Sequence, residues 1–159
     1  MALAAGGLSA GDRAPNFKLA TDEGDGVSRA ALKGKPFVLY FYPKDDTAGC
    51  TREAIDFSAA AAKFTKLGVA VIGVSKDSLA SHEKFRKKYK LKVTLASDPD
   101  IKTAQDWGVW VEKSLYGRKY MGMERATFLV DDKGTIREMW RKVKVPGHVE
   151  AVLAAAKNL

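Results

Sequence analysis

A chain of 159 residues, 46% hydrophobic and 29% charged, has the size of one domain and the composition of a protein that folds around a buried core. That composition, with a single cysteine, excludes a disordered chain, a collagen-like chain and a disulfide-stapled scaffold. Lys and Arg number 27 against 19 Asp and Glu, a formal charge of +8 that leaves nucleic acid or an anionic substrate open as partners.

Residues 1–10 read as a flexible N-terminal arm. No Lys or Arg precedes Arg13, and Gly6 and Gly7 interrupt the short apolar run, so the stretch lacks the pattern of a secretion signal. Residues 11–159 read as one domain. No apolar run approaches the ~20 residues of a membrane span. A lone thiol suits a reducing compartment, and the expected location is the cytoplasm. The segment from Phe17 to Leu32 suggests a small hairpin around Gly24 and Gly26. Phe37 to Tyr42 is wholly apolar and follows Gly34-Lys35-Pro36, the pattern of a strand buried on both faces.

A loop, YPKDDTAGC, comes next. Ala54, Phe57, Ala61, Phe64 and Leu67 then recur at spacings of three and four, which predicts one helix ending at Gly68. Val69 to Val74 is a second buried strand. Ser78 to Tyr89 reads as a helix, and Val93 to Ala96 as a short strand. Asp98-Pro99-Asp100 predicts a helix start, running to Trp107. Ala126 to Val130 and Thr135 to Arg141 read as strands of a hairpin turned by Asp131-Asp132-Lys133-Gly134. His148 to Asn158 closes the chain as a helix. This alternation predicts an α/β fold with a central mixed β-sheet flanked by helices.

Cys50 falls in the first turn of a helix that follows a buried strand. Free N–H groups and the helix dipole favour an anion there. A free thiol has a pKa of ~8.5, and such a position with a cation nearby lowers it towards the neutral range. Thr47, three residues earlier, offers a hydroxyl to the sulfur and to an incoming oxygen, and Pro43 stiffens the loop. A lone cysteine also serves as a small buried hydrophobe. From the residues alone both readings stand.

The string Pro43-x-x-x-Thr47-x-x-Cys50 matches the active-site motif of the peroxiredoxins. The longer YFYPKDDTAGCTREAIDF, with GVAVIGVSKDS, TLASDPD, DWGVW, EKSLYGRKYMGMERATFLVD and DKGTI in order, resembles the peroxiredoxin Q subfamily, the bacterioferritin comigratory proteins. The resemblance implies a thioredoxin-like fold. It also implies thiol-dependent reduction of hydrogen peroxide or organic hydroperoxides through a Cys50 sulfenic acid, with no cofactor and no metal. It carries Thr47 and Pro43 over as active-site residues and places the family's arginine at Arg125, where a guanidinium favours the thiolate and steadies the peroxide oxygens. Read without the family, Arg125 is a surface ion pair with Glu124.

Two departures stand out. Ala48 replaces the Pro of the common TPGC string, and Ile55 occupies the position of the common resolving cysteine. The chain therefore resembles a one-cysteine variant. Its sulfenic acid would be resolved by an external thiol (thioredoxin, glutaredoxin or glutathione) or by a second Cys50, and lack of an internal partner exposes the sulfur to overoxidation. A monomer is the expected state, with a dimer as the alternative.

Other patterns weigh less. Lys84 to Lys92 is the strongest basic run, but Phe85 and Tyr89 form one inward stripe, so the lysines read as a solvated face and nucleic acid is not the expected partner. A redox sensor or nucleic-acid-associated chaperone on the same scaffold is the rival reading. His82 and His148 lack the clustered ligands of a zinc site, and neither sits in a persuasive motif for a Cys–His hydrolase. Trp107, Trp110 and Tyr116 suggest packing, and Asp45 with Asp46 a solvated loop tip.

Overall fold

The computed structural model describes residues 8–159; positions 1–7 of the expected arm lie outside the described residues. Leu8, assigned to the same arm, is buried in the core with Ala14 and Phe17. The strands are β1 (Lys18–Thr21), β2 (Val27–Ser28), β3 (Phe37–Phe41), β4 (Ala70–Ser75), β5 (Thr94–Ser97), β6 (Trp110–Leu115), β7 (Arg118–Met123), β8 (Ala126–Val130) and β9 (Ile136–Trp140). The helices are α1 (Ala48–Ala59), α2 (Ala61–Lys66), α3 (Leu79–Tyr89), α4 (Lys102–Asp106) and α5 (His148–Lys157). Seven strands form one mixed sheet in the order β2-β1-β5-β4-β3-β8-β9, with β3, β4 and β5 parallel and the remaining pairings antiparallel.

β3 sits near the middle of the sheet, which is why all five of its residues are apolar and buried. Alternate side chains enter two cores. Phe37, Leu39 and Phe41 pack with Phe128, Ile72 and Trp107 on the α4 side. Val38 and Tyr40, with Tyr42 just beyond the strand, pack on the other side with residues of α1, α2, α3 and α5. Phe57 anchors α1 to this second core by stacking on Tyr40, ring centroids 4.5 Å apart.

The predicted elements form, with four differences. The single helix expected from Ala54 to Leu67 breaks at Ala60 (φ −93°, ψ 0°), which separates α1 from α2 and leaves Leu67 39% exposed. Asp98-Pro99 does not open α4; the chain first makes a turn through Ile101, which is left-handed at φ 58°. Asp98 still caps the helix by reaching forward, its carboxylate accepting from the N–H of Thr103 at 3.2 Å and of Ala104 at 2.8 Å. Residues 110–123, for which no element was expected, form an antiparallel hairpin in a two-stranded sheet of its own. Its turn, Tyr116-Gly117, has positive φ at both positions (50° and 77°), the geometry that twists with the strands. Asp45 is not part of a solvated tip but is buried at 7% exposure.

The aromatic trio divides. Trp107 is fully buried, Trp110 is half-buried with the Lys76 ammonium 5.9 Å from its ring, and Tyr116 is 96% exposed at the hairpin tip. Among the described residues no helix is long and apolar enough to cross a membrane.

Ala48 is the first residue of α1, and Thr47 before it is extended (φ −95°, ψ 157°). A proline at the first helical position loses no intrahelical bond, and extended backbone is what it requires of its predecessor. Ala48→Pro is therefore expected to stabilise the fold by about 0.5–1 kcal/mol through the unfolded chain, read as a higher urea midpoint at unchanged m.

Candidate active site

The site forms where the parallel strands end at their carboxyl side. β3 delivers the chain into the loop of residues 42–47, and α1 starts at once. Thr47 is the N-cap but makes no side-chain bond to the first turn, and its main-chain carbonyl accepts the first intrahelical bond, from Thr51 N–H at 2.8 Å. The first-turn amides thus keep no side-chain cap and stand as a patch of positive potential. Cys50 is the third residue of that turn, 2% exposed, against the second core.

Arg125 comes from far away in sequence, and sheet register brings it in. β8 runs antiparallel to β3 with Ala126 opposite Phe41, so the residue just before β8 lies beside the end of β3. Its Nη2 donates to Cys50 Sγ at 3.2 Å, and its Nη1 donates to Glu53 Oε1 at 2.8 Å. Cys50 and Glu53 are three apart on α1, one face of the helix, so a single guanidinium spans both. Burial disfavours the Arg125 cation, but the facing Cys50 sulfur and Glu53 carboxylate outweigh it and raise the Arg125 pKa. Gly49 makes room: a Cβ there would lie 3.0 Å from Arg125 Nη2.

Thr47 is placed differently from expectation. The Thr47 hydroxyl donates to the Lys44 carbonyl at 2.9 Å rather than to the sulfur, which leaves its lone pairs for an incoming donor. Pro43 and Thr47 are both exposed on the loop that leads into α1. The expected alternative for Arg125 fails because Glu124 pairs with Arg141, at 3.1 Å from Nη2. Ile55, five residues after Cys50, is 39% exposed on α1.

Sequence reasoning missed three residues beneath the sulfur: Glu53, Thr127 and His148. Glu53 is fully buried, and its second oxygen, Oε2, has no hydrogen-bond partner among the described residues. Burial raises the Glu53 pKa to about 7, more than the Arg125 guanidinium lowers it. His148 opens α5 with Nε2 2.7 Å from the Thr127 hydroxyl and 4.0 Å from Glu53 Oε2. Burial, then the Arg125 charge, lower the His148 pKa to about 4. The signal for Glu53 was present in the sequence as a charged residue on the buried stripe of α1; that for His148 was not, because its neighbours are supplied by other elements.

A family model described as the AhpC/TSA family matches residues 10–139. This chain belongs to that family of peroxiredoxins. A putative peroxiredoxin of Coxiella burnetii is 50% identical over 146 residues, 92% of this chain and 97% of that one. Peroxiredoxin Bcp of Bacillus subtilis is 44% identical over 152 residues, 96% of this chain and 97% of that one. A solved structure of the Xanthomonas campestris bacterioferritin comigratory protein, described with its alkyl peroxide reduction activity, matches with a TM-score of 0.85 at 42% identity, over 89% of this chain and 90% of that chain. This peroxiredoxin is a thiol-dependent peroxidase with the thioredoxin-like fold of its relatives.

Two outcomes follow from the geometry. Gly49→Ala pushes a methyl group against the guanidinium, the mobile end of a side chain, so peroxide reactivity is expected to fall several-fold while the urea midpoint stays equal or rises, since Ala favours a helix over Gly by about 1 kcal/mol. Loss of stability without loss of reactivity would contradict it. The second concerns linkage. Glu53 holds its proton to about 7 in the folded peroxiredoxin against 4.5 in the reference carboxyl, so the folded state binds more protons between those values and stability drains away as pH rises through them. His148, lowered from 6.5 to about 4, acts oppositely and adds stability over that lower range. Glu53→Gln removes only the first slope. The stability of this variant relative to the parent is expected to increase from about pH 5 to pH 7, measured by denaturant titration.

Proposed function

We propose that Cys50 is the peroxidatic nucleophile and that Arg125, Thr47 and Pro43 serve it, within a single catalytic unit spanning residues 11–159. The observation that carries this reading is the guanidinium N–H aimed at the sulfur, 3.2 Å away, over an uncapped helix start. Both groups stabilise negative charge on sulfur, and the thiolate is the reactive form.

The thiolate attacks one peroxide oxygen in line with the O–O bond. An S–O bond forms, the O–O bond breaks with its electron pair going to the departing oxygen, and that oxygen leaves as water or an alcohol once protonated. Cys50 becomes a sulfenic acid. Arg125 is the donor best placed for charge that shifts from sulfur to the leaving oxygen. The unspent lone pairs of Thr47 accept from the peroxide O–H and orient it. Organic hydroperoxides join hydrogen peroxide as substrates on the strength of the alkyl peroxide activity described for the Xanthomonas relative.

With one cysteine in the sequence, the oxidised sulfur condenses with a thiol from outside and releases water; a second thiol then frees Cys50 from the mixed disulfide. Thioredoxin, glutaredoxin and glutathione all supply that chemistry, and a monomer needs no partner copy for it. Cys50 is 2% exposed, so the external thiol reaches its sulfur only when the first turn of α1 moves outward. A cytoplasmic location suits a thiol that has to be returned to its free form. The Lys84–Lys92 face supports the rival nucleic-acid reading poorly, because Arg86 is bonded to Asp22, Lys87 to Glu83 and Lys88 to Asp46.

Steady-state peroxide consumption, measured side by side with thioredoxin, glutaredoxin and glutathione systems, tests the reading. Cys50→Ser is expected to abolish turnover with each of them. Arg125→Ala is expected to cost at least about a hundredfold in the rate of peroxide attack, the size of losing one charge-stabilising donor. Full turnover by the serine variant overturns the assignment.

A further inference from the structure

Asp45 lies in the loop between β3 and α1, two residues before Thr47, yet its side chain is 3% exposed. Its carboxylate is surrounded by donors from the start of its own loop and from α3. Oδ1 accepts from the Tyr42 hydroxyl at 2.6 Å, at the end of β3. Oδ2 accepts from the Ser81 hydroxyl at 2.8 Å and faces His82 Nδ1 at 2.7 Å, both on α3. The other ring nitrogen of His82, Nε2, is 2.9 Å from the Ala96 carbonyl of β5. The imidazole is wholly buried.

A carbonyl only accepts, and a carboxylate already holding two hydroxyl donors is an acceptor at both oxygens. Both nitrogens of His82 therefore meet acceptors. A neutral imidazole has one N–H and satisfies one of them; an imidazolium satisfies both. The remaining charged group at this place is Asp77, between β4 and α3, whose Oδ2 accepts from the Asp45 N–H at 2.8 Å and from the Ser75 hydroxyl at 2.7 Å. The next residue of the loop, Asp46, is held from the same helix by Lys88 at 2.8 Å and Tyr89 at 2.6 Å. The segment that leads into the reactive turn is thus gripped from α3.

We propose that His82 is a positioning residue for the chemistry of Cys50: as a buried imidazolium fixed between Asp45 and the Ala96 carbonyl, it holds the loop in the shape that sets Thr47 and the first turn of α1 around the sulfur. The role rests on the peroxidase reading of Cys50. Burial works against the charge, but the hydrogen bond and negative charge of Asp45, the Ala96 carbonyl and Asp77 outweigh it, so the His82 pKa is raised above its ordinary value. The stabilising contribution is complete below the ordinary imidazole range and is lost as pH climbs through the raised folded value. Deprotonation takes the His82 N–H away from either Asp45 or the Ala96 carbonyl, and the loop loosens.

Thiol reactivity ordinarily rises with pH to a plateau, so a fall on the alkaline side is a signature that thiol ionisation cannot give. The test combines two measurements on the full reduced chain. Nitrogen-15 NMR of the imidazole rings is expected to show His82 protonated at both nitrogens at neutral pH. Stopped-flow oxidation of Cys50 by hydrogen peroxide is expected to decline at alkaline pH with the midpoint of the His82 titration. His82→Gln is expected to react about tenfold more slowly, within the range that small misplacements cost, and to lose the alkaline decline. A neutral His82 at pH 7, or a His82→Gln variant with the parent's rate and pH profile, overturns the proposal. The two measurements on the unmutated chain decide it even if the variant does not fold. Failure of Cys50 to react with peroxide at any pH overturns the peroxidase reading and this role together, whereas reaction with no alkaline decline overturns the role of His82 alone.

Discussion

One guanidinium bridging a sulfur and a buried carboxylate is the contact on which the rest of this peroxiredoxin is arranged. Arg125 reaches Cys50 and Glu53 with separate nitrogens, and both of those residues are buried. A lone buried cation is too costly to keep, and so is a lone buried carboxylate. The fold meets that constraint from three directions. The antiparallel partner of β3 supplies the arginine, the helix after β3 supplies the cysteine and glutamate, and the absence of a side chain at Gly49 lets them meet.

Below that contact the polar chain continues through Glu53 to His148 and Thr127, and His148 is wedged edge-on between the rings of Phe57 and Trp140. The first residue of the last helix therefore packs against α1 at Glu53 and Phe57. Above it, the loop is held by α3. Glu53, next to Cys50 on the same helix face, thus meets α5, and the loop before α1 meets α3.

The sheet was legible because its central strands carry uninterrupted apolar runs bounded by Gly and Pro, and the position of Cys50 followed from strand, loop and helix stripe in succession. Arg125 was legible only through the family motif, since nothing local marks it: the pairing that places it joins segments far apart in the chain. The β6–β7 hairpin escaped because its strands are mostly exposed and lack clear alternation; the one local sign was the Gly at the second turn position. Asp45 read as a surface residue because carboxylates in loops usually are. Its burial depends on a histidine and a serine of α3, and spacing within the loop carries no trace of them. Ala60 broke a helix that the stripe predicted as continuous, which shows that apolar period fixes which face is buried but not where the backbone bends.

The two aspartates at the mouth of the site are tethered in unlike surroundings. Asp45 is sealed inside, whereas the Lys88–Asp46 clasp lies in water, with both side chains about half exposed. Dissolved ions weaken the outer clasp and hardly touch the inner one. Ionic strength therefore acts on the tether at Asp46 and leaves the one at Asp45 in place.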